Sequence, residues 1–129
     1  MWKGRGSAVP KISTIVVVVA LLYMVANLEC VQAATYTVGG TGGWRFNVNK
    51  WSKGKHFRVG DVLIFKYSPK LHNVVVVDKK NYAKCKTPPR AKVYRSGKNK
   101  ITLVKGLNNF ICNMPGHCES GMKISIIAH

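Results

Sequence analysis

The sequence predicts an all-β domain, a sandwich or barrel with Greek-key connections, carried behind a leader segment. Three observations point there. About seven short runs of β-branched and aromatic residues follow residue 34, most of them separated by Gly or Pro. Near the C-terminus Ile124 and Ile126 alternate with Lys123 and Ser125, the period of two that gives a sheet one dry and one wet face. No stretch of residues 34–129 repeats its apolar side chains convincingly at helical spacing.

The leader comes first in the 129-residue chain. Trp2, Lys3, Arg5 and Lys11 make a basic opening, Ile15 to Val25 is an unbroken apolar run, and V-Q-A at 31–33 supplies small residues where a signal peptidase reads. This is the layout of a secretory signal peptide, residues 1–33, removed by a cut after Ala33. The competing reading, an uncleaved membrane anchor, suffers from the shortness of the run against the ~20 apolar residues a spanning helix needs. No spacer and hydrophobic tail of a lipid-anchor signal appears before His129, and no N-x-S/T glycosylation site occurs. Residues 34–129 are then one small domain with one core.

Along that domain, Thr35 to Val38 alternates as a first strand. Asp61 to Tyr67 and His72 to Asp78 are split by the turn S-P-K at 68–70. Ala91 to Tyr94, Lys100 to Val104, Asn109 to Cys112 and Met122 to Ile127 complete the set, with single helical turns expected at Trp51 to Lys55 and Lys79 to Ala83. The run G-G-T-G-G-W at 39–44 is not a dinucleotide loop, since no βαβ pattern follows and no acidic residue is placed for a ribose. It reads as a flexible turn after the first strand.

The cysteines bring in chemistry. Cys30 leaves with the leader, so Cys85, Cys112 and Cys118 remain in an oxidising compartment, where one bridge and one occupied thiolate is the natural arrangement. Cys112, His117 and Met122 follow the spacing C-x4-H-x4-M, the cysteine ending one strand and the methionine opening the next. Donors at two strand ends and in the loop between them can meet at one point. His72, opening its own strand after the S-P-K turn, is free to join them. One thiolate, two imidazoles and a weak thioether suit copper cycling between two oxidation states. Structural zinc competes, but methionine is a poor zinc ligand and paired C-x2-C spacings are missing. Met114 is a rival axial donor, only two residues from Cys112. Cys118 follows His117 directly and is expected to point the other way, towards Cys85. Asn73 and the amides after Cys112 are expected to hydrogen-bond near the sulfur and tune it.

The stretches Y-T-V-G-G, H-N-V-V-V-V and above all F-I-C-N-M-P-G-H-C-E-S-G-M-K-I resemble the phytocyanins, the plant blue copper proteins. The basic charge, Met122 where the stellacyanin branch has glutamine, and the lack of a Pro/Ser-rich tail make the chain similar to the plantacyanin subclass. The resemblance spans residues 34–129. It implies a cupredoxin-type Greek-key β-sandwich of seven to eight strands, one type 1 copper ion held by His72, Cys112, His117 and Met122, and a Cys85–Cys118 disulfide. It also implies a secreted protein of the plant extracellular matrix or cell wall.

Charge bears on partners. Eighteen of the 21 basic residues and three of the four acidic ones (Asp61, Asp78, Glu119) follow Ala33, a net of about +15, with nine of the cations between Lys79 and Lys100. Such a field favours polyanions. Nucleic acid is not expected, because the basic stretch has few stacking aromatics beyond Tyr82 and Tyr94. Anionic cell-wall polysaccharide is the expected partner class, with a solvated face as the plainer explanation. The catalytic kit of an enzyme is missing, since the carboxylates are scattered and no Ser-His-Asp set is evident. The expected function is therefore that of a monomeric single-electron carrier with a redox partner. Its rival is a basic interaction or signalling protein of the cell wall, in which copper is structural or regulatory.

Overall fold

The computed structural model describes Gly4, residues 11–26 and residues 32–129, which fall into two compact units, Met1–Gln32 and Ala33–His129. Trp2, Lys3, Arg5, Glu29, Cys30 and Val31 lie outside the described residues. In the first unit the apolar run forms helix α1 (Thr14–Ala26), whose 13 residues bury no side chain. None of the described helices is long and apolar enough to cross a membrane.

The second unit is a sandwich of two sheets. Strands β1 (Thr35–Thr37), β2 (Val62–Lys66) and β5 (Lys98–Thr102) form one in the order β1-β2-β5. Strands β3 (Val74–Val77), β4 (Val93–Tyr94), β6 (Gly106–Ile111) and β7 (Lys123–Ala128) form the other in the order β4-β3-β6-β7. The chain changes sheet after β2, after β4 and after β5, as a Greek key requires. Only β1 and β2 pair in parallel within the named strands. The main core lies between the sheets, where Leu63 and Phe65 of β2, Val74 of β3, Phe110 of β6 and Ile124 and Ile126 of β7 are buried.

The four-stranded sheet is also covered on part of its far side, over β3 and the end of β6, while Leu107 and Ile127 stay exposed there. Val75, Val77 and Ile111 pack there with Cys118, under the short helix α2 (Lys79–Lys84). That second layer explains why β3 reads V-V-V-V without alternation: both faces need apolar side chains. Asp78 caps α2 by accepting from the Asn81 amide at 3.0 Å.

Several expected boundaries shift. The predicted turn at Trp51 to Lys55 begins earlier, as a 3-10 turn at Val48–Lys50 that continues through Trp51 N–H to Val48 O at 2.9 Å. The glycine run is not a flexible turn. Residues Gly40–Gly42 form a 3-10 turn, and the Arg45 guanidinium clasps it by donating to Gly39 O at 2.7 Å and Gly43 O at 3.1 Å. A side chain at Gly43 would sit 2.7 Å from the Lys66 carbonyl, to which the Trp44 amide donates at 2.9 Å. Close backbone approach, not mobility, is what glycine supplies there.

Candidate metal centre

His72 lies just before β3 rather than opening it, because the strand begins at Val74. The tight turn after β2 holds it there, with the His72 amide donating to Ser68 O at 3.0 Å. Cys112 follows the last residue of β6, and Met122 precedes the first of β7. These two are backbone neighbours across the strand pair: Cys112 N–H donates to Met122 O at 3.0 Å, and Met122 N–H donates to His117 O at 3.0 Å. The loop from 113 to 121 is closed by further turns, His117 N–H to Met114 O at 3.0 Å among them. At Gly121 an added Cβ would stand 3.1 Å from the Asn47 backbone, so glycine lets the 46–47 segment press on the loop.

These local constraints bring the side chains of His72, Cys112 and His117 together, with one donor atom from each within 4.8 Å of the others. The two imidazoles turn Nδ1 to each other at 3.0 Å, and the Cys112 Sγ is 3.5 Å from His117 Nδ1. Both rings thus aim the same nitrogen at one point, an arrangement that a shared proton or a cation satisfies and two bare lone pairs do not. Donors bound at about 2.0 Å (nitrogen) and 2.3 Å (sulfur) to one tetrahedral ion stand roughly 3.3 to 3.5 Å apart, so the observed spacings are of the right size for a single metal. Cys112 and Met122 are fully buried, while both histidines are partly exposed. Of the two methionines that competed as the soft axial donor, Met122 is sealed in the core and Met114 is only half-buried at its edge. Burial holds His72 below the ordinary imidazole pKa, and the neighbouring His117 adds to that shift. The shift favours the neutral ring, the form in which an imidazole ligates a metal.

The other two cysteines are joined. Cys85 and Cys118 form a disulfide with Cα atoms 5.7 Å apart, and Cys112 is the free cysteine among the described residues. The bridge ties the C-terminal end of α2 to the loop beside His117. Asn73 bonds to the residue directly after Cys112. It is buried and its side chain pairs with Asn113, accepting from the Asn113 amide at 2.9 Å and donating to the Asn113 side chain. Asn113 in turn donates to Thr87 Oγ1 at 3.0 Å. The pair locks the residue after Cys112 to the residue after His72, so it fixes the positions of the donors.

Three neighbours escape the spacing argument. Asn113 was in plain view inside the cysteine motif, but nothing in the sequence marked its partner. Trp44 donates from Nε1 to the Asn73 carbonyl at 2.9 Å. Phe46 stacks edge-on against His117 at 4.8 Å and His72 at 5.8 Å between ring centres, and stays 43% exposed, so it rims the site without closing it.

A cupredoxin-like sandwich with an imidazole–thiolate cluster at one end defines a class, and comparison with known proteins narrows it. The plastocyanin-like domain family matches residues 44–122. The basic blue protein of Arabidopsis thaliana is 57% identical over 128 residues, covering 99% of each chain. Among solved structures, the cucumber basic protein, a blue copper protein, superposes with a TM-score of 0.74 at 57% identity over 74% of this chain and all of its own. Spinach plantacyanin gives 0.68 at 51% identity, again over 74% of this chain and all of its own. The chain belongs to the phytocyanin family of plastocyanin-like domains, in its plantacyanin (basic blue) subclass.

Proposed function

We propose that the chain is a secreted single-electron carrier holding one type 1 copper ion through His72, Cys112, His117 and Met122. The observation that carries this reading is the convergence of two Nδ1 atoms and one buried thiol sulfur within 4.8 Å. Bound there, copper supplies a one-electron couple, with thiolate and thioether favouring the reduced ion and imidazole accepting the oxidised one. The protein's part is to hold the donors still in both states. The Asn73–Asn113 pair, the Cys85–Cys118 bridge and the backbone bonds between 112, 117 and 122 all serve that end. The partly exposed imidazole edges of His72 and His117, beside exposed Phe46, are where a redox partner would approach for outer-sphere transfer. A copper titration followed by a redox titration tests the reading: one ion per chain with a reversible one-electron couple is expected, and a copper complex that cannot be reduced reversibly would rule it out.

Secretion is part of the same proposal. The residue after the expected cut, Ala34, donates its backbone N–H to Asp61 Oδ1 at 2.9 Å. Cleavage after Ala33 would turn that amide into an ammonium facing a buried carboxylate. N-terminal sequencing of the secreted protein should begin at Ala34; a protein retaining Thr14–Ala26 would contradict it.

A second reading, a cell-wall interaction protein with structural or regulatory copper, is favoured by the disposition of charge. All nine cations from Lys79 to Lys100 are exposed, while Asp61 and Asp78 are taken up by backbone amides.

A further inference from the structure

The outward residues of β2 and β5 differ from those of the other sheet. Leu63, Phe65 and Ile101 go into the core, leaving Lys66, Lys98 and Lys100 exposed on the far face. The register sets Lys66 directly opposite Lys98, and Lys100 opposite Ile64. Side chains so opposed have Cβ atoms about 4.5–5.5 Å apart, and like charges there are destabilising. Lysines on an edge strand have an ordinary explanation, since they stop one sheet edge from pairing with another. That explains Lys98 and Lys100 on β5. It does not explain Lys66, which lies on the central strand of its sheet.

Lys66 also belongs to a cleft. With Tyr67, Thr37, Thr41 and the glycine turn it lines an open hollow of about 630 Å³. That volume is within the range of roughly 300–1,000 Å³ usual for small-ligand sites. Its walls offer the Thr37 and Thr41 hydroxyls, glycine backbone and the Lys66 side chain, a set that suits a hydrated, singly anionic sugar, while the Tyr67 hydroxyl is taken up by Tyr94 O and Asn99 Oδ1. Arg45 and the bond from Trp44 to Lys66 hold the turn, so the hollow is preformed. Lys98 and Lys100 continue the positive charge away from it, about 6–7 Å apart along the strand.

We propose that this cleft and the lysine face beside it bind an acidic polysaccharide, one uronate residue seating at Lys66 and the chain running on across Lys98 and Lys100. The proposal rests on the basic-surface reading above and gives it a place; it does not depend on the metal. Charge complementarity selects a polyanion, and an open hollow walled by threonine hydroxyls, glycine backbone and one lysine favours a polysaccharide over nucleic acid or an acidic protein.

The test is calorimetric binding of a polygalacturonate oligomer to the purified secreted protein at low salt. Two triple variants remove the same charge from different places: Lys66→Gln/Lys98→Gln/Lys100→Gln on the sheet, and Lys79→Gln/Lys80→Gln/Lys84→Gln on α2. Affinity should fall at least about tenfold in the first and no more than about threefold in the second, as a local contact rather than the general field predicts. A neutral galactan of equal length should not bind, and polyglutamate of equal charge should bind more weakly than the uronate. Equal losses in the two variants would overturn the location and leave the basic-surface reading standing. Polyglutamate binding as tightly would overturn the sugar specificity. Failure of the unaltered protein to bind polygalacturonate at low salt would overturn both.

Discussion

The four-stranded sheet is buried on its inner face, partly covered on its outer one and ends in the candidate metal centre, whereas the three-stranded sheet is buried on its inner face and carries lysines on the other. In the first, nearly every residue near the donors is held by a named partner: Cys112 by Met122, His117 by Met114, Asn73 by Asn113 and Trp44. In the second, Lys66, Lys98 and Lys100 face water beside a shallow cleft. A metal end is thus specified residue by residue, while a charged face is specified by its sum and by the register that brings like charges together.

Breaking the second dry layer should produce the largest loss. Replacing both bridge cysteines, Cys85→Ser with Cys118→Ser, frees a loop of 33 residues and should cost about 3–4 kcal/mol by loop-closure entropy. Urea denaturation checks it, and a loss below about 1 kcal/mol would mean the packing under α2 holds that face by itself.

Asn73→Ala comes next. It leaves the Asn113 backbone N–H without its acceptor and the Asn113 side-chain oxygen without a donor, which should cost about 1–3 kcal/mol. Because the pair positions donors, the copper-loaded protein should also shift its visible band and potential, and an unchanged spectrum would reduce Asn73 to scaffolding.

The smallest effect concerns acid. The His72 pKa is lowered in the folded chain by burial and by His117, so the folded state binds fewer protons than the unfolded one below the ordinary imidazole value of about 6.5. Stability of the metal-free protein should therefore be level above that value and decline as pH falls from it towards the lowered one. His72→Ala should flatten part of that decline. A metal-free protein whose stability rises on acidification through this window would contradict the assignment.

Much of this was legible in the sequence, unevenly. C-x4-H-x4-M brought out Cys112 and His117 because strand ends and a short loop leave few ways to arrange them, and His72 joins that cluster from its place after the S-P-K turn. The pairing of Cys118 with Cys85 followed from its position next to His117. Contacts that cross between distant loops were not legible: Phe46 against His117, or Asn73 against Asn113, depend on how the sandwich closes. The glycine run misled for a physical reason, since glycine marks both mobility and close packing, and only the Arg45 clasp distinguishes them. The V-V-V-V strand likewise concealed its second dry layer, because a continuous apolar run does not say what covers each face.

The visible spectrum of the copper-loaded protein decides whether Cys112, with His72, His117 and Met122, makes a type 1 copper centre. The protein should be intensely blue, and Cys112→Ser, still folded and still bridged at Cys85–Cys118, should lose that colour entirely. A colourless copper complex of the unaltered protein, or a blue one that survives Cys112→Ser, would contradict the account.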